Sequence, residues 1–190
     1  MQPDRILIAT GASAAEPPID GLAGTPYWTS TEALFSDARP RHLIVIGGSF
    51  VALETAQAYR RLGSEVTMLA RSTLLSRDDP AVGEAIQAAL EAEGIRVLTH
   101  AVPQSVAHGA DGFRVALAGE TVRGEHLLVA TGRTPNTRAL NLPAAGIETR
   151  GDGAIVVDRR LRTSTPGVFA VGDCATMPQL VYVAAAMGGS

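Results

Sequence analysis

The sequence predicts an α/β fold, with a three-layer parallel sheet and an added antiparallel meander, and three observations predict it. The apolar run Leu43-Ile44-Val45-Ile46 passes through Gly47-Gly48-Ser49 into a helix-forming stretch and then a β-prone run, Glu65 to Ala70, which completes a βαβ unit. A second helix pattern from Pro80 to Glu93 leads into another short strand, Ile95-Arg96-Val97-Leu98. From Pro103 to Arg123 the pattern changes to short β-prone pieces broken by Gly109, Gly112 and Gly119, the mark of the meander.

Taken in order, Ile6-Leu7-Ile8-Ala9 reads as a buried strand that ends at Thr10-Gly11. Leu43 to Ile46 carries no polar alternation, which suits a parallel strand covered on both faces. Ala52 to Leu62 consists of helix formers, and Gly63 stands where a left-handed C-terminal cap is expected. Asp79 is a candidate N-cap, Pro80 occupies the first helical position, and Gly94 stops the helix. His126-Leu127-Leu128-Val129-Ala130 returns to a buried strand and runs into Thr131-Gly132-Arg133-Thr134-Pro135-Asn136. Val168-Phe169-Ala170-Val171 is the last strand. It ends in Gly172-Asp173, which places a carboxylate at a strand's C-terminal edge, where open α/β sheets bind ligands, although Asp173 taken alone reads as a helix cap or turn residue.

Composition narrows the partners. The chain has 190 residues, 46% of them hydrophobic and 18% charged, a balance that builds a globular core. A net charge of -3 without a basic tract argues against nucleic acid or an acidic membrane surface. No apolar run is long enough to span a bilayer and none reads as a signal peptide, so a cytoplasmic setting is expected. A single cysteine, Cys174, excludes an internal disulfide and any thiolate metal site of standard spacing. His42, His100, His108 and His126 show no metal-ligand spacing either, and no metal is expected.

The turn after the first βαβ strand carries the chemistry. A dinucleotide fingerprint, G-x-G-x-x-G, uses one glycine for the tight turn, one for backbone approach to the pyrophosphate and one for helix-strand contact. Here those places hold Gly47, Ser49 and Ala52; Ala52 is an accepted small substitute, whereas Ser49 adds a side chain. An ordinary strand-to-helix turn packed with small residues would look similar. The second strand sharpens the reading. An acidic residue about 20 positions after the turn would bond the ribose 2′-hydroxyl of NAD, but Ala70 stands there and Arg71 and Arg77 follow. Missing acid and added guanidinium suit the 2′-phosphate of NADPH, although either arginine alone reads equally as a solvated surface charge. A serine-hydrolase elbow fails because Val51 occupies the place of its second glycine. Finally, Ala9-Thr10-Gly11 is echoed by Ala130-Thr131-Gly132, two strands ending in the same turn, as two related nucleotide-binding folds would or as two buried strands would by coincidence.

In this order, Ala-Thr-Gly, the Gly47 to Glu54 turn, Ala130 to Asn136, and Gly172-Asp173 resemble the flavin-dependent pyridine nucleotide-disulfide oxidoreductases over nearly the whole chain. The resemblance implies a Rossmann-like NADPH-binding domain, residues 24–134, inserted between FAD-domain segments 1–23 and 135–190. The backbone from Gly47 through Gly48, Ser49, Phe50 and Val51 to Ala52 would hold the pyrophosphate, with the Phe50 ring on the flavin side. Arg71 and Arg77 would hold the 2′-phosphate, Glu54 would lie near the nicotinamide, and Gly132 would approach the dinucleotide. Thr10, Gly11, Arg133, Gly172 and Asp173 would serve FAD, the aspartate by accepting from the ribityl chain. Within the family, the segments Pro26 to Leu34, Leu69 to Arg71 and Pro178 to Ala186 look most like the metal-reducing branch, which implies Hg(II) as substrate and Hg(0) as product. The family's N-terminal FAD glycine motif, its C-x-x-x-x-C redox pair and its C-terminal dimer-forming domain do not appear here. The chain is therefore expected to be an internal part of a longer, homodimeric enzyme and inactive alone, with no catalytic residue of its own. A sibling disulfide or dihydrolipoamide enzyme, and a non-catalytic NADPH-binding module, are the alternatives.

Overall fold

Four successive apolar residues cannot present a polar face, and the strand of Leu43 to Ile46 is buried on both sides. The computed structural model describes residues 3–188 and divides the chain into two compact units, Ala14–Gly132 and Met1–Ser13 with Arg133–Ser190. In chain order the elements are β1 (Ile6–Ile8), β2 (Ala12–Ala14), α1 (Ser30–Phe35), β3 (His42–Ile46), α2 (Phe50–Arg61), β4 (Glu65–Leu69) and α3 (Pro80–Ala92). There follow β5 (Arg96–Leu98), β6 (Ser105–Gly109), β7 (Gly112–Ala116), β8 (Thr121–Gly124), β9 (His126–Val129), β10 (Arg133–Pro135), β11 (Val168–Ala170) and α4 (Val181–Gly188).

The unit Ala14–Gly132 is built on a four-stranded parallel sheet in the order β5-β4-β3-β9. The two-residue period of β3 sorts its side chains. Leu43 and Val45 join Leu53, Ala56 and Tyr59 of α2, Leu90 of α3 and Ala33 of α1, whereas Ile44 and Ile46 join Val106, Phe113, Val115 and Val122 of the meander. Helices thus cover one face and the antiparallel β6-β7-β8 sheet the other, as the three-layer expectation has it. Leu43, Ile44 and Val45 are fully buried, and each contributes roughly 1.5–3 kcal/mol by leaving water.

Local signals set the helix ends. Ser49 takes the extended N-cap conformation before α2, and Gly63 follows its end at φ +97°. The Asp79 side chain accepts from the Ala81 amide at 2.9 Å, with Pro80 opening α3. α1, a short helix, starts at a capping box in which Thr29 and Glu32 bond each other's backbone amides or side chains.

In the other unit β1 pairs in parallel with β11, and β10 pairs with β2. Its core gathers Leu142, Ile147, Ile155, Val168, Ala170 and Cys174. The expectation of a buried first strand is corrected: Ile6 and Leu7 are 45% and 61% exposed, because β1 has β11 as its one strand neighbour among the described residues. Cys174 is a free, fully buried thiol that donates to the Val171 carbonyl at 3.2 Å. Among the described residues no group of His, Cys, Asp and Glu is placed to hold a metal, and no helix is long and apolar enough to cross a membrane.

Candidate functional site

The chain leaves β3 on one side toward β4 and β5 and returns on the other as β9, so the sheet's switch point lies at the C-terminal ends of β3 and β9. Gly47 occupies it. Its amide donates to the Leu69 carbonyl at 3.0 Å, and the Ala130 amide donates to Ile46 at 2.8 Å, which draws three strand ends together. Gly47 has φ +149°, and a Cβ there would stand 2.4 Å from the Ala130 carbonyl oxygen and 3.0 Å from the Ala52 Cβ. Both the first glycine of the fingerprint and the small residue at its third place are thereby explained as close approach.

Beyond the turn, α2 points its N-terminus at open space. The first helical bond runs from the Leu53 amide to the Ser49 carbonyl at 3.1 Å, and the Ser49 hydroxyl makes no cap bond. The amides of Phe50, Val51 and Ala52 consequently have no hydrogen-bond partner among the described residues. Free amides at the positive end of a helix dipole suit a phosphate. Phe50, Val51 and Glu54 are exposed along this edge, and Gly132, at φ +129°, has open space where a Cβ would sit.

The segment after β4 is tied to the same turn. The Leu75 amide donates to the Gly48 carbonyl at 2.8 Å, and a Cβ on Gly48 would meet the Ala70 Cβ at 3.0 Å. Leu74 and Leu75 are buried, whereas Arg71 and Arg77 are exposed and neither guanidinium has a partner among the described residues. A search for carboxylates and guanidinium groups passes over Ser72, half-buried beside Arg71, whose hydroxyl makes only a long 3.4 Å contact to the Thr73 carbonyl.

The remaining expected site residues gather in the other unit. Gly11 at φ +67° and Gly172 at φ +72° line a pocket of about 460 Å³ with Ala9, Val171, Asp173 and Ala184. The Asp173 carboxylate lies 3.4 Å from Arg133 Nε, and the Arg133 guanidinium also donates to the Ala12 carbonyl. Asn136 fastens the turn: its side chain donates to the Thr10 carbonyl at 3.1 Å and its amide to the Gly11 carbonyl at 2.9 Å. The Asp173 carboxylate can accept hydrogen bonds from a polyhydroxyl chain, and the glycine turn leaves its backbone open to close approach.

Residues 1–188 match the family signature described as pyridine nucleotide-disulphide oxidoreductase. The chain belongs to that family. It is 58% identical to the mercuric reductase of Acidithiobacillus ferrooxidans over 97% of its own length and 34% of that protein. Among solved structures, the Cu(II) complex of RclA, an HOCl-induced flavoprotein disulfide reductase of Escherichia coli, superposes at a TM-score of 0.90 with 32% identity, covering 96% of this chain and 43% of that one. An engineered water-forming NADPH oxidase bound to NADPH, a mutant with five substitutions, gives 0.81 and 25%, covering 90% and 39%. The chain spans about a third of the length of the curated relatives it matches. As a pyridine nucleotide-disulphide oxidoreductase sequence it belongs with enzymes that use a flavin and a nicotinamide cofactor, and the fitted glycine turn and glycine-lined pocket are compatible with one such group each.

Proposed function

We propose that this chain forms the NADPH site and part of the FAD site of a flavoprotein reductase that acts on Hg(II). One observation carries the cofactor choice. The five substitutions of the engineered NADPH oxidase are to alanine, alanine, arginine, serine and arginine, at intervals of 18, 1, 1 and 5 residues. Ala52, Ala70, Arg71, Ser72 and Arg77 repeat that order and those intervals here.

In this reading the amides of Phe50, Val51 and Ala52 meet the pyrophosphate, while Gly47 and Gly48 keep the approach bare. Arg71 and Arg77 grip the 2′-phosphate by charge-assisted hydrogen bonds, and Ser72 adds a hydroxyl between them. Ala70 leaves no carboxylate to repel it. Glu54 and Gly132 flank the nicotinamide end, and Phe50 brings to that end a ring that has no hydroxyl to donate. On the flavin side Thr10 and Gly11 form the turn, Gly172 gives backbone access, Asp173 accepts from the ribityl chain, and Arg133 holds that carboxylate in place. Bound together, the nicotinamide and flavin supply hydride transfer toward the substrate. The compact unit Ala14–Gly132 is then the NADPH-binding part. Hg(II) as substrate rests on the mercuric reductase relatives, and the buried Cys174 is not a thiol that could receive it. A cytoplasmic homodimer belongs to the same proposal.

Titrating NADPH and NADH against the protein and its Arg71→Ala/Arg77→Ala variant tests the cofactor assignment. Each lost contact to the phosphate is worth roughly 1.5–3 kcal/mol, so NADPH should weaken at least ~100-fold in the double variant while NADH changes little. Equal losses for the two cofactors would remove these arginines from the 2′-phosphate site. For the substrate, Hg(II)-dependent NADPH oxidation in the complete enzyme, with excess thiol, is the expected activity.

A further inference from the structure

Gly83 lies in the second turn of α3, in the run Pro80-Ala81-Val82-Gly83-Glu84-Ala85, where alanine would make the better helix. It is buried and has no left-handed conformation to justify it. What it does have is a neighbour. A Cβ at Gly83 would stand 2.5 Å from the Leu74 carbonyl oxygen, a backbone atom of the segment that follows β4. The next residue, Leu75, is held at φ +46°, a conformation unfavourable for leucine, with its side chain buried and its amide bonded to Gly48 at 2.8 Å. The Asp78 amide then donates back to the Leu75 carbonyl at 2.8 Å, immediately before the Asp79 cap of α3.

The loop from Arg71 to Arg77 is held at its start by the His100 amide, which donates to the Ser72 carbonyl at 3.3 Å, and at its middle between two bodies, the glycine turn through Gly48 and helix α3 through Gly83. Its exposed ends carry the two guanidinium groups. We propose that Gly83 is a positioning residue for cofactor choice: by admitting the Leu74 carbonyl it sets where Arg71, Ser72 and Arg77 stand relative to the glycine turn. This rests on the assignment of those three residues to the 2′-phosphate.

A methyl group at Gly83 must separate α3 from Leu74, because the opposing atom is backbone and cannot rotate away. The loop then shifts relative to Gly48, while the amides at the start of α2 stay in place, since Ala52, Leu53 and Ala56 anchor that helix in the core. Pyrophosphate binding, common to both cofactors, should survive. Binding that depends on the 2′-phosphate should not.

The test measures Kd for NADPH and NADH, with thermal melts, on the protein, Gly83→Ala, Leu75→Gly and the exposed control Glu84→Ala. Leu75→Gly keeps the amide and the left-handed backbone but removes the buried anchor, so it decides the matter should Gly83→Ala fail to fold. Both variants should lower the NADH-to-NADPH Kd ratio roughly tenfold, about the loss of one charge-assisted contact, with NADH itself within about twofold of the parent. Glu84→Ala should leave the ratio unchanged. Equal weakening of both cofactors, or an unchanged ratio in the folded variants, would overturn the proposal. The Arg71→Ala/Arg77→Ala variant separates the two failures. If it keeps the parent's ratio, the cofactor assignment itself falls; if it loses preference while the loop variants do not, only the role of Gly83 falls.

Discussion

Gly47→Ala puts one methyl group into the crowded turn between β3 and α2. The new Cβ would lie 2.4 Å from the Ala130 carbonyl oxygen, 3.0 Å from the carbonyl carbon and 3.0 Å from the Ala52 Cβ, at φ +149°. The backbone conformation alone costs a residue with a side chain about 1–3 kcal/mol. Overpacking against atoms that cannot rotate away adds about 1–3 kcal/mol. A total near 3 kcal/mol would lower the melting temperature by roughly 6–12 °C. The backbone contact dominates, so adding Ala52→Gly should not rescue the variant: it removes the 3.0 Å contact, leaves the 2.4 Å one, and costs helix stability of about 1 kcal/mol. Relief of the clash by separating β3 from β9 would also move the start of α2, and NADPH and NADH should weaken together. Thermal melts and fluorescence titrations of the parent and the two variants would check this. Parent-like stability and affinity in Gly47→Ala would refute the reasoning, as would full rescue by Ala52→Gly.

Two further outcomes follow from other contacts. Ala52→Leu, at a fully buried position facing Gly47, should weaken NADPH and NADH equally, by about 1–3 kcal/mol, because it pushes helix from strand without touching the loop that carries Arg71 and Arg77; a cofactor-selective loss in paired titrations would contradict it. Asp158 accepts from the Arg162 side chain at 2.7–2.8 Å and from the Arg162 and Arg160 amides, and these bonds hold its carboxyl at about 2. A lowered folded-state value means the stabilisation is complete above the ordinary carboxylate range and is lost as pH falls toward 2. Denaturant midpoints measured from pH 5 to pH 2 should therefore fall less steeply in Asp158→Asn than in the parent, and parallel curves would show that the carboxylate contributes nothing.

What could be read from the sequence was local. The βαβ unit, the cap at Asp79, the stop at Gly94 and the meander each depend on residues within a few positions of one another, and each stands in the structure. The short helix at Ser30 had an equally local sign, the Thr29-x-x-Glu32 box, hidden by the exposed apolar residues Leu34 and Phe35 that give it no buried stripe. Strand β1 shows the opposite limit. Ile6-Leu7-Ile8 has the composition of a covered strand, but composition cannot say how many neighbours a strand finds, and here two of its three residues are well exposed. Nor could pattern alone place the meander across the sheet from the helices, since that depends on Val106, Phe113, Val115 and Val122 meeting Ile44 and Ile46.

The candidate site divides along the same line. Gly47 to Glu54 is one continuous segment, and its geometry follows from a strand, a turn and a helix in succession. Arg71 and Arg77 could be picked out by distance from that turn, but the feature proposed to position them could not. Leu75 is an ordinary leucine in the sequence, and nothing near it signals a left-handed backbone. Gly83 reads as a blemish in a helix until the Leu74 carbonyl is set beside it. Asn136 likewise acts on Thr10 and Gly11 across more than 120 positions of chain. Residues that touch a ligand tend to advertise it by chemical type, whereas residues that hold those residues in place do so through small size or unusual backbone, and they become legible only when the contact that demands them is known. In the proposed cofactor site the two classes are coupled. A guanidinium contributes to discrimination only where the loop presents it to the phosphate, so Arg71 and Arg77 on a displaced loop would be two solvated charges, the very alternative that sequence alone could not distinguish.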